Sequence, residues 1–398
     1  MQKARSYGSR IKEVFMVFLM LGFTSFGGPV AHLGYFRSEF VQRRRWLSEA
    51  DYADLVALCQ FLPGPASSQV GFALGLLRAG YAGALAAWTA FTLPSAIALV
   101  LFALGLTLLD DPISQGALHG LKITAVAVVA HAVWGMARNF CPDRTRTAIA
   151  LGAVIIITLI SGPTGQVGAI LVGVLAGLLL CRSGAQIEQH RLHFPVSRQV
   201  GHLCATLFTG LLLGLPVLVI LMPSSIVEML DAFYRAGALV FGGGHVVLPL
   251  LEAEVVQPGW VTPDDFLAGY SAAQAVPGPL FTFAAYLGAI ATPAPGALSG
   301  AALALVMIFL PGLLILLAVL PHWNALRRFE TAQAMMCGAN AAVVGILGSA
   351  LYHPLWTSVI ISMQDFVLAL TGFLLLNVWK VPAWVVVVLL VIGGVAIA

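Results

Sequence analysis

Apolar runs that are interrupted at their middle by glycine or proline occupy the start of this chain. Residues 14–40 are broken by Phe26-Gly27-Gly28-Pro29, and residues 52–77 are broken by Pro63-Gly64-Pro65. A helix needs about 20 apolar residues to cross a hydrocarbon core of about 30 Å. Each half of the first run has about 12 residues and would extend about 18 Å as a helix. We therefore predict that both runs fold as re-entrant helical hairpins.

The composition places these runs in a membrane rather than in a soluble core. Hydrophobic residues make up 60% of the 398 residues. Charged residues make up 9%, against about 25% in average soluble proteins. A soluble domain cannot bury so much apolar surface, so the predicted fold class is an all-α polytopic membrane protein. The net charge of +3 is small and the basic residues lie in short clusters beside apolar runs, which argues against nucleic-acid binding.

The interrupted pattern returns in the second half of the chain. Residues 229–256 are broken by Phe241-Gly242-Gly243-Gly244, and residues 266–291 are broken by Pro277-Gly278-Pro279. The two halves align with an offset of 214 to 218 residues. This alignment predicts three parts: repeat one at 12–181, a cytoplasmic loop with a connecting span at 182–228, and repeat two at 229–398.

Beyond the four hairpins, nine apolar runs are predicted to cross the membrane. The connecting run has no counterpart in the other half, and one extra crossing between equal halves turns the second half upside down. The basic flanks require the same inversion, because Lys and Arg collect on the cytoplasmic side. An inverted repeat is typical of secondary transporters. The predicted spans are 84–109, 117–137, 148–160, 167–180, 203–222, 298–320, 334–351, 356–376 and 381–398.

The interrupted helices are the expected place for the chemistry, because lipid cannot satisfy their exposed backbone groups. A half-helix that starts inside the membrane presents free N–H groups and about half a positive charge, which can bind an anion without a lysine. Alternatively, the glycines and prolines only let helices cross closely or kink; the pairing of four breaks favours a transport site. The predicted substrate-binding residues are Gly27, Gly28, Gln60, Pro63, Gly64, Pro65, Ser67, Ser68, Lys122, Gly242, Gly243, Gly244, Gln274, Pro277, Gly278, Pro279, Thr282 and Asn340.

Charged and titratable residues are few in these runs, and each has two interpretations. Lys122 either faces the anion or extends to the nearby interface. Glu39 and Glu254 occupy matching positions and are either proton carriers or ion-pair anchors, of which we favour the anchors. His32 and His245 follow the glycine turns. They are candidates for proton coupling, although a hydrogen-bonded core histidine is the interpretation that we favour.

Enzymatic motifs and metal sites are not predicted. The five cysteines are scattered, with no CxxC or Cys/His metal spacing, so we expect no disulfide, no metal and no cofactor. The chain has no histidines at i, i+4, no Ser/His/Asp constellation and no nucleotide-binding loop, so we expect no catalytic residue and no enzyme.

The motifs resemble those of the chromate ion transporter family in its long, two-domain form. In the first half, Phe-Gly-Gly-Pro is followed by Trp-Leu-Ser-Glu-Ala-Asp-Tyr and Gln-Phe-Leu-Pro-Gly-Pro; in the second, Phe-Gly-Gly-Gly-His-Val-Val-Leu-Pro-Leu-Leu and Gln-Ala-Val-Pro-Gly-Pro are similar. The resemblance covers about residues 12–350. One departure is that Pro29 in the first glycine turn is Gly244 in the second.

This resemblance implies a secondary transporter that exports chromate across the bacterial inner membrane and gives chromate resistance. It also implies sulfate as a related substrate and coupling to protons. The expected partners are a chromate- or sulfate-type oxyanion, protons and membrane lipid, with a homodimer left open. With nine spans, the N-terminus is expected in the cytoplasm and the C-terminus in the periplasm. A porter for sulfate or another oxyanion, and a passive anion channel, are the alternatives.

Overall fold

The computed structural model describes residues 7–106, 112–160, 162–181, 194–242, 244–292, 294–323 and 329–397. Within these ranges the regular elements are all helical. Six helical stretches are long and apolar enough to cross a membrane, which confirms the predicted all-α polytopic fold. Gly243 and most of the predicted cytoplasmic loop lie outside the described residues. The six stretches are 66–105, 115–140, 163–180, 198–221, 297–322 and 330–359.

The helices follow one another with short connections in both halves. The first half contains α1 Tyr7–Thr24, α2 Gly28–Phe36, α3 Glu49–Phe61, α4 Ala66–Leu106, α5 Pro112–Phe140, α6 Arg144–Leu159 and α7 Pro163–Leu180. The connecting helix is α8 Arg198–Leu221. The second half contains α9 Ser225–Ala238, α10 Val247–Leu251, α11 Pro263–Ala275, α12 Phe283–Ile290, α13 Ala297–Val319, α14 Glu330–Ala350, α15 Met363–Asn377 and α16 Ala383–Ile397.

All four predicted breaks interrupt helices at a glycine with a positive φ angle. The first glycine turn has φ of 98° at Gly27 and 75° at Gly28, and its counterpart has φ of 75° at Gly242. In the Pro-Gly-Pro turns, φ is 112° at Gly64 and 109° at Gly278. Residues with a Cβ rarely adopt these angles, so the glycines fix where each helix ends and the next begins.

Two less common features occur at matching places in the two halves. A π-helical turn follows each glycine turn, at Arg37–Arg43 in the first half and Glu252–Val256 in the second. Ser48 caps α3 by accepting from the Asp51 amide, and Thr262 caps α11 in the same way. Because π-helical turns are rare, these matched features support the predicted duplication.

The helix α4 is folded back on itself rather than straight. Ala79 and Gly80 have non-helical angles, with φ of −144° and 63°. A Cβ on Gly75 would overlap the carbonyl oxygen of Gly83, so the helical segments on the two sides of the kink lie against each other. In the second half, Gly288 of α12 contacts Gly300 of α13 equivalently. The kink therefore ends the predicted second hairpin, and the span follows it.

Three of the nine predicted spans are shorter helices. The helix α6 has 16 residues, and α15 and α16 have 15 each, which corresponds to about 23 Å against a core of about 30 Å. The predicted start at residue 356 is wrong by seven residues, because Ser362 and Asp365 form a capping box that begins α15 at Met363.

The last helix of each half packs on a long helix of the other half. The helix α7 lies along α14, and α16 lies along α5. Close backbone contacts make this possible: Gly177 meets Gly338 at the first interface, and Gly120 meets Gly394 at the second. The two halves therefore share one core.

Candidate functional site

The four helix breaks are held together by two reciprocal hydrogen bonds between the halves. The Gly64 amide donates to the Val240 carbonyl at 2.7 Å, and the Gly278 amide donates to the Ser25 carbonyl at 2.9 Å. Each bond joins a Pro-Gly-Pro turn of one half to the end of the first helix of the other. The fold thus gathers all four predicted breaks at one place, where the two halves meet.

Close crossings between the first helix and the later proline-containing helix of each half position these breaks. A Cβ on Gly22 of α1 would lie 2.9 Å from the Ala90 carbonyl oxygen of α4. A Cβ on Gly237 of α9 would lie 3.0 Å from Pro311 Cγ of α13 and would overlap Ile308 O. The lack of a side chain at each crossing lets the helix end reach the opposite Pro-Gly-Pro turn.

The two glycine turns also touch each other across the interface between the halves. A Cβ on Gly244 would lie 2.9 Å from Pro29 Cγ, and a Cβ on Gly28 would lie 4.0 Å from His245 Nε2. The Pro29 ring therefore fills the space that the missing side chain of Gly244 leaves. This contact gives a physical reason for the one difference between the two glycine motifs.

The Pro-Gly-Pro turns are packed against backbone and small side chains. A Cβ on Gly64 would lie 2.8 Å from the Gly312 Cα, and a Cβ on Gly278 would lie 2.7 Å from Ser95 Oγ. Ser95 and Gly312 occupy matching positions in the two halves. Since the amides of Gly64 and Gly278 already bond to carbonyls, they are occupied in this conformation, and an anion must use other donors.

Several buried polar atoms near the breaks lack a hydrogen-bond partner among the described residues. They include Ser68 Oγ, which follows the first Pro-Gly-Pro turn, and Gln274 Nε2, which precedes the second. Asn340 Oδ1 is a third, and a Cβ on Gly242 would lie 3.4 Å from it. An unpaired buried polar group costs about 1–3 kcal/mol. A bound ligand that completes these bonds would recover that free energy.

Two predicted hydroxyls have protein partners. Ser67 Oγ lies 3.4 Å from His32 Nδ1, and Thr282 Oγ1 donates to the Pro279 carbonyl at 2.7 Å. The two glutamines also differ, because Gln60 is exposed whereas Gln274 is 8% exposed. The two halves therefore do not contribute equivalent side chains to the place where the breaks meet.

Lys122 has a protein partner at the start of α11. Its Nζ forms an ion pair with Asp264 Oδ1 at 2.9 Å. Asp264 is at the start of α11, whereas Pro277 follows the end of that helix, a separation of about 18 Å along the axis. This pairing favours the interpretation that the Lys122 side chain extends towards the interface rather than to the anion. Its repeat mate, Asn340, does contact a break.

Both glutamates at matching positions are ion-paired. Glu39 contacts Arg44 Nε at 2.5 Å and Arg43 at 3.1 Å. Glu254 accepts from Arg235 Nε and Nη2, each at 2.7 Å. Bidentate geometry of this kind fixes a carboxylate firmly, which supports their interpretation as anchors.

The two histidines bond to groups at the breaks. His32 is fully buried, and its Nε2 lies 3.2 Å from the Ser25 carbonyl oxygen, which also accepts from Gly278. His245 Nδ1 lies 2.9 Å from the Tyr270 hydroxyl. Because a carbonyl oxygen only accepts, the bond at His32 requires the proton on Nε2. These bonds support the interpretation of both as hydrogen-bonded core histidines.

The sequence analysis missed Gln69, which joins the halves at the first Pro-Gly-Pro turn. Its Nε2 donates to the Pro63 carbonyl at 2.9 Å and to the Gly312 carbonyl at 2.8 Å. A glutamine within an apolar run, directly after Ser67 and Ser68, was a usable signal, because burying an amide without partners is costly.

Similarity to known proteins extends over nearly the whole chain. The family model described as Chromate transporter matches residues 12–180 and 227–397. A probable chromate transport protein of Synechococcus elongatus is 26% identical over 400 residues, which cover 97% of this chain and 95% of that protein. The chromate transport protein of Pseudomonas aeruginosa is 27% identical over 391 residues, which cover 96% of this chain and 90% of that protein. No solved structure matches the chain significantly.

Proposed function

Because the chain belongs to the chromate transporter family, we propose that it exports chromate, a tetrahedral oxyanion, from the bacterial cytoplasm across the inner membrane. It acts as a secondary transporter driven by the membrane potential or by protons. The sulfate ion has the same shape and charge and is the related substrate. The chromate-transport names of the two relatives support the substrate class.

The reciprocal hydrogen bonds between the halves are the observation that supports a transport site at the breaks. They gather four helix interruptions around Ser68, Gln274 and Asn340, whose buried polar atoms lack partners among the described residues. Hydroxyl and amide donors of this kind can bind an oxyanion without a permanent positive charge. Asn340 can present its NH₂ group instead of Oδ1 by turning its amide.

Alternating access is the mechanism that suits two equivalent halves. In the proposed inverted repeat, the halves exchange conformations around a site near the middle of the bilayer. The contacts of Gly177 with Gly338 and of Gly120 with Gly394 support this arrangement, because each joins the last helix of one half to a long helix of the other half. Because each interface joins one half to the other, a movement at either interface changes how the two halves are positioned against each other.

The membrane potential favours the outward direction. A potential of 100 mV, negative inside, is worth about 2.3 kcal/mol per charge, or about 4.6 kcal/mol for an uncoupled dianion. Export of chromate is therefore downhill even without proton exchange, whereas uptake would need several co-transported cations. This energy difference supports export as the direction.

The test is flux of radiolabelled chromate and sulfate in proteoliposomes with imposed potential and pH gradients. We expect saturable chromate flux that accelerates when the chromate-loaded compartment is negative, with competition by sulfate. A flux that rises linearly with concentration and never saturates would instead establish a passive channel. A response to the pH gradient at constant potential identifies proton coupling. A protein that carries sulfate and excludes chromate would overturn the substrate assignment.

A further inference from the structure

Two cysteines that are far apart in sequence lie side by side in the fold. The Sγ atoms of Cys181 and Cys337 are 2.6 Å apart, although 156 residues separate them. Both are free thiols and both are partly exposed. Their sequence spacing matches no known motif, and nothing in the sequence places them together.

Glycine packing is what brings the two thiols together. Cys181 follows the last turn of α7, one turn after Gly177, and Cys337 adjoins Gly338 in α14. A Cβ on Gly177 would overlap the Ala334 carbonyl, and a Cβ on Gly338 would overlap the Gly173 carbonyl. Because the backbones touch, the segments that carry the two thiols are held close together, and rotation of the side chains changes the distance between the sulfurs.

We propose that Cys181 and Cys337 form an oxidation site, at which hydrogen peroxide converts the two thiols to a disulfide that locks α7 to α14. In the balanced step, one thiolate attacks a peroxide oxygen, the O–O bond breaks and a sulfenic acid forms. The second thiol then displaces the sulfenic hydroxyl, so that an S–S bond forms, two electrons reduce the peroxide and two water molecules leave. A small rotation of each side chain brings the sulfurs to bonding distance.

The disulfide would restrain the transport site, and this part rests on the proposed function. Asn340 lies one turn after Cys337 on α14 and contacts Gly242 of the second glycine turn. The bond ties this helix to α7, which belongs to the other half. If the halves must move against each other during transport, the oxidised protein is arrested.

A reversible site also agrees with the predicted side of the membrane. Arg182, Arg191 and Arg198 follow α7 in the sequence and predict that this end of α7 is cytoplasmic. Thiols are kept reduced in the cytoplasm, so the resting protein carries two thiols and oxidative stress forms the bond.

The first experiment maps the bond in the full-length protein in proteoliposomes. The protein is treated with hydrogen peroxide, free thiols are blocked with N-ethylmaleimide, and peptides are analysed without reduction. We expect a linked Cys181–Cys337 peptide that Cys181→Ser and Cys337→Ser each abolish. Cys204→Ser, on α8, is the matched control and keeps the link. Cys141→Ser tests another partly exposed thiol. Oxidation without this link, or a link through Cys141, would overturn the proposal.

The second experiment measures chromate flux before and after oxidation. Peroxide and dithiothreitol are removed before each assay, because both react with chromate. We expect flux to fall at least several-fold after peroxide and to recover after dithiothreitol, whereas Cys181→Ser keeps its flux throughout. Unchanged flux in fully cross-linked protein would overturn the arrest. If the reduced wild type carries no chromate, the proposed function fails, while the peptide map still decides whether the disulfide forms.

Discussion

The backbone amide of Gly64, in the first half of the chain, donates a 2.7 Å hydrogen bond to the carbonyl of Val240, in the second. The equivalent bond runs from Gly278 to Ser25 in the opposite direction between the halves, at 2.9 Å. A Pro-Gly-Pro turn in each half thus closes on the end of the other half's first helix. This pair of bonds holds the two Pro-Gly-Pro turns, next to Ser68 in the first half and Gln274 in the second, against the other half.

Removing an unpaired buried donor should weaken oxyanion binding without unfolding the protein. We expect Ser68→Ala and Gln274→Leu each to raise the half-saturating chromate concentration by about tenfold to a hundredfold, the loss of one hydrogen bond to a charged ligand. Concentration-dependent flux in proteoliposomes measures this change. Ser299→Ala, at an exposed serine of α13, is the control. Wild-type saturation in both site variants would remove them from the site.

Replacing Lys122 should have little effect on transport. Its partner Asp264 is 73% exposed, and an exposed ion pair is worth about 0–1 kcal/mol. We expect Lys122→Gln and Asp264→Asn to change chromate flux by about twofold or less. The initial chromate flux of each variant, measured at saturating and at limiting chromate concentrations, tests this prediction. A large loss of affinity in Lys122→Gln but not in Asp264→Asn would return the lysine to the substrate path.

Breaking the ion pair of Arg235 should destabilise the fold. Glu254 is 8% exposed and accepts two hydrogen bonds from the guanidinium, so Arg235→Ala leaves a carboxylate buried. We expect a loss of about 3 kcal/mol in unfolding free energy, seen as a lower thermal transition in detergent. The matched control is Arg37→Ala, because the Arg37–Glu49 pair is more than half exposed and should contribute at most about 1 kcal/mol. Equal shifts in the two variants would contradict the anchor.

A side chain at the first Pro-Gly-Pro turn should disrupt the site. Gly64 has φ of 112°, and a Cβ there would lie 2.8 Å from the backbone of Gly312. We expect Gly64→Ala to lower stability by about 1–3 kcal/mol and to abolish flux. The control is Gly210→Ala on α8, where a Cβ meets nothing within 4 Å. We expect the thermal transition and the chromate flux of Gly210→Ala to stay close to those of the wild type.

The contact between the glycine turns predicts that one substitution rescues another. Gly244→Ala would place a Cβ 2.9 Å from Pro29 Cγ, and we expect it to reduce both flux and stability. Pro29→Ala removes the ring atoms that would clash, so the double variant should recover. A double-mutant cycle on the unfolding free energy should give a coupling of about 0.5–3 kcal/mol for residues in contact. Additive effects would show that the two turns do not touch.

The positions of the breaks could be predicted from sequence because glycine and proline act locally. Gly27 and Gly64 end helices through their own backbone angles, and no distant residue is needed to identify them. The cap at Ser48, which lies three residues before Asp51, is equally local. The prediction of a duplication rests on the same kind of local signal, since the motifs repeat as short strings.

Contacts between the halves could not be predicted, because they depend on how helices cross. Nothing in the sequence near Gln69 names Gly312 as its acceptor, and Cys181 gives no sign of Cys337. The sequence left Lys122 open between the anion and the interface, because nothing on its own helix identifies its partner. The structure shows that Asp264, at the start of the neighbouring helix α11, lies within ion-pair distance of Lys122 Nζ.

The packing of one helix from each half on a long helix of the other half has a consequence for how the chain assembles. The glycine-lined face of α14 meets α7 of the first half, and the matching face of α5 meets α16 of the second. The glycine-lined face of each long helix is covered by a helix of the other half. A half made alone would therefore expose the backbone along that face to lipid. We expect the two halves, co-expressed as separate fragments, to assemble into one complex. Each fragment should be degraded when it is produced without the other.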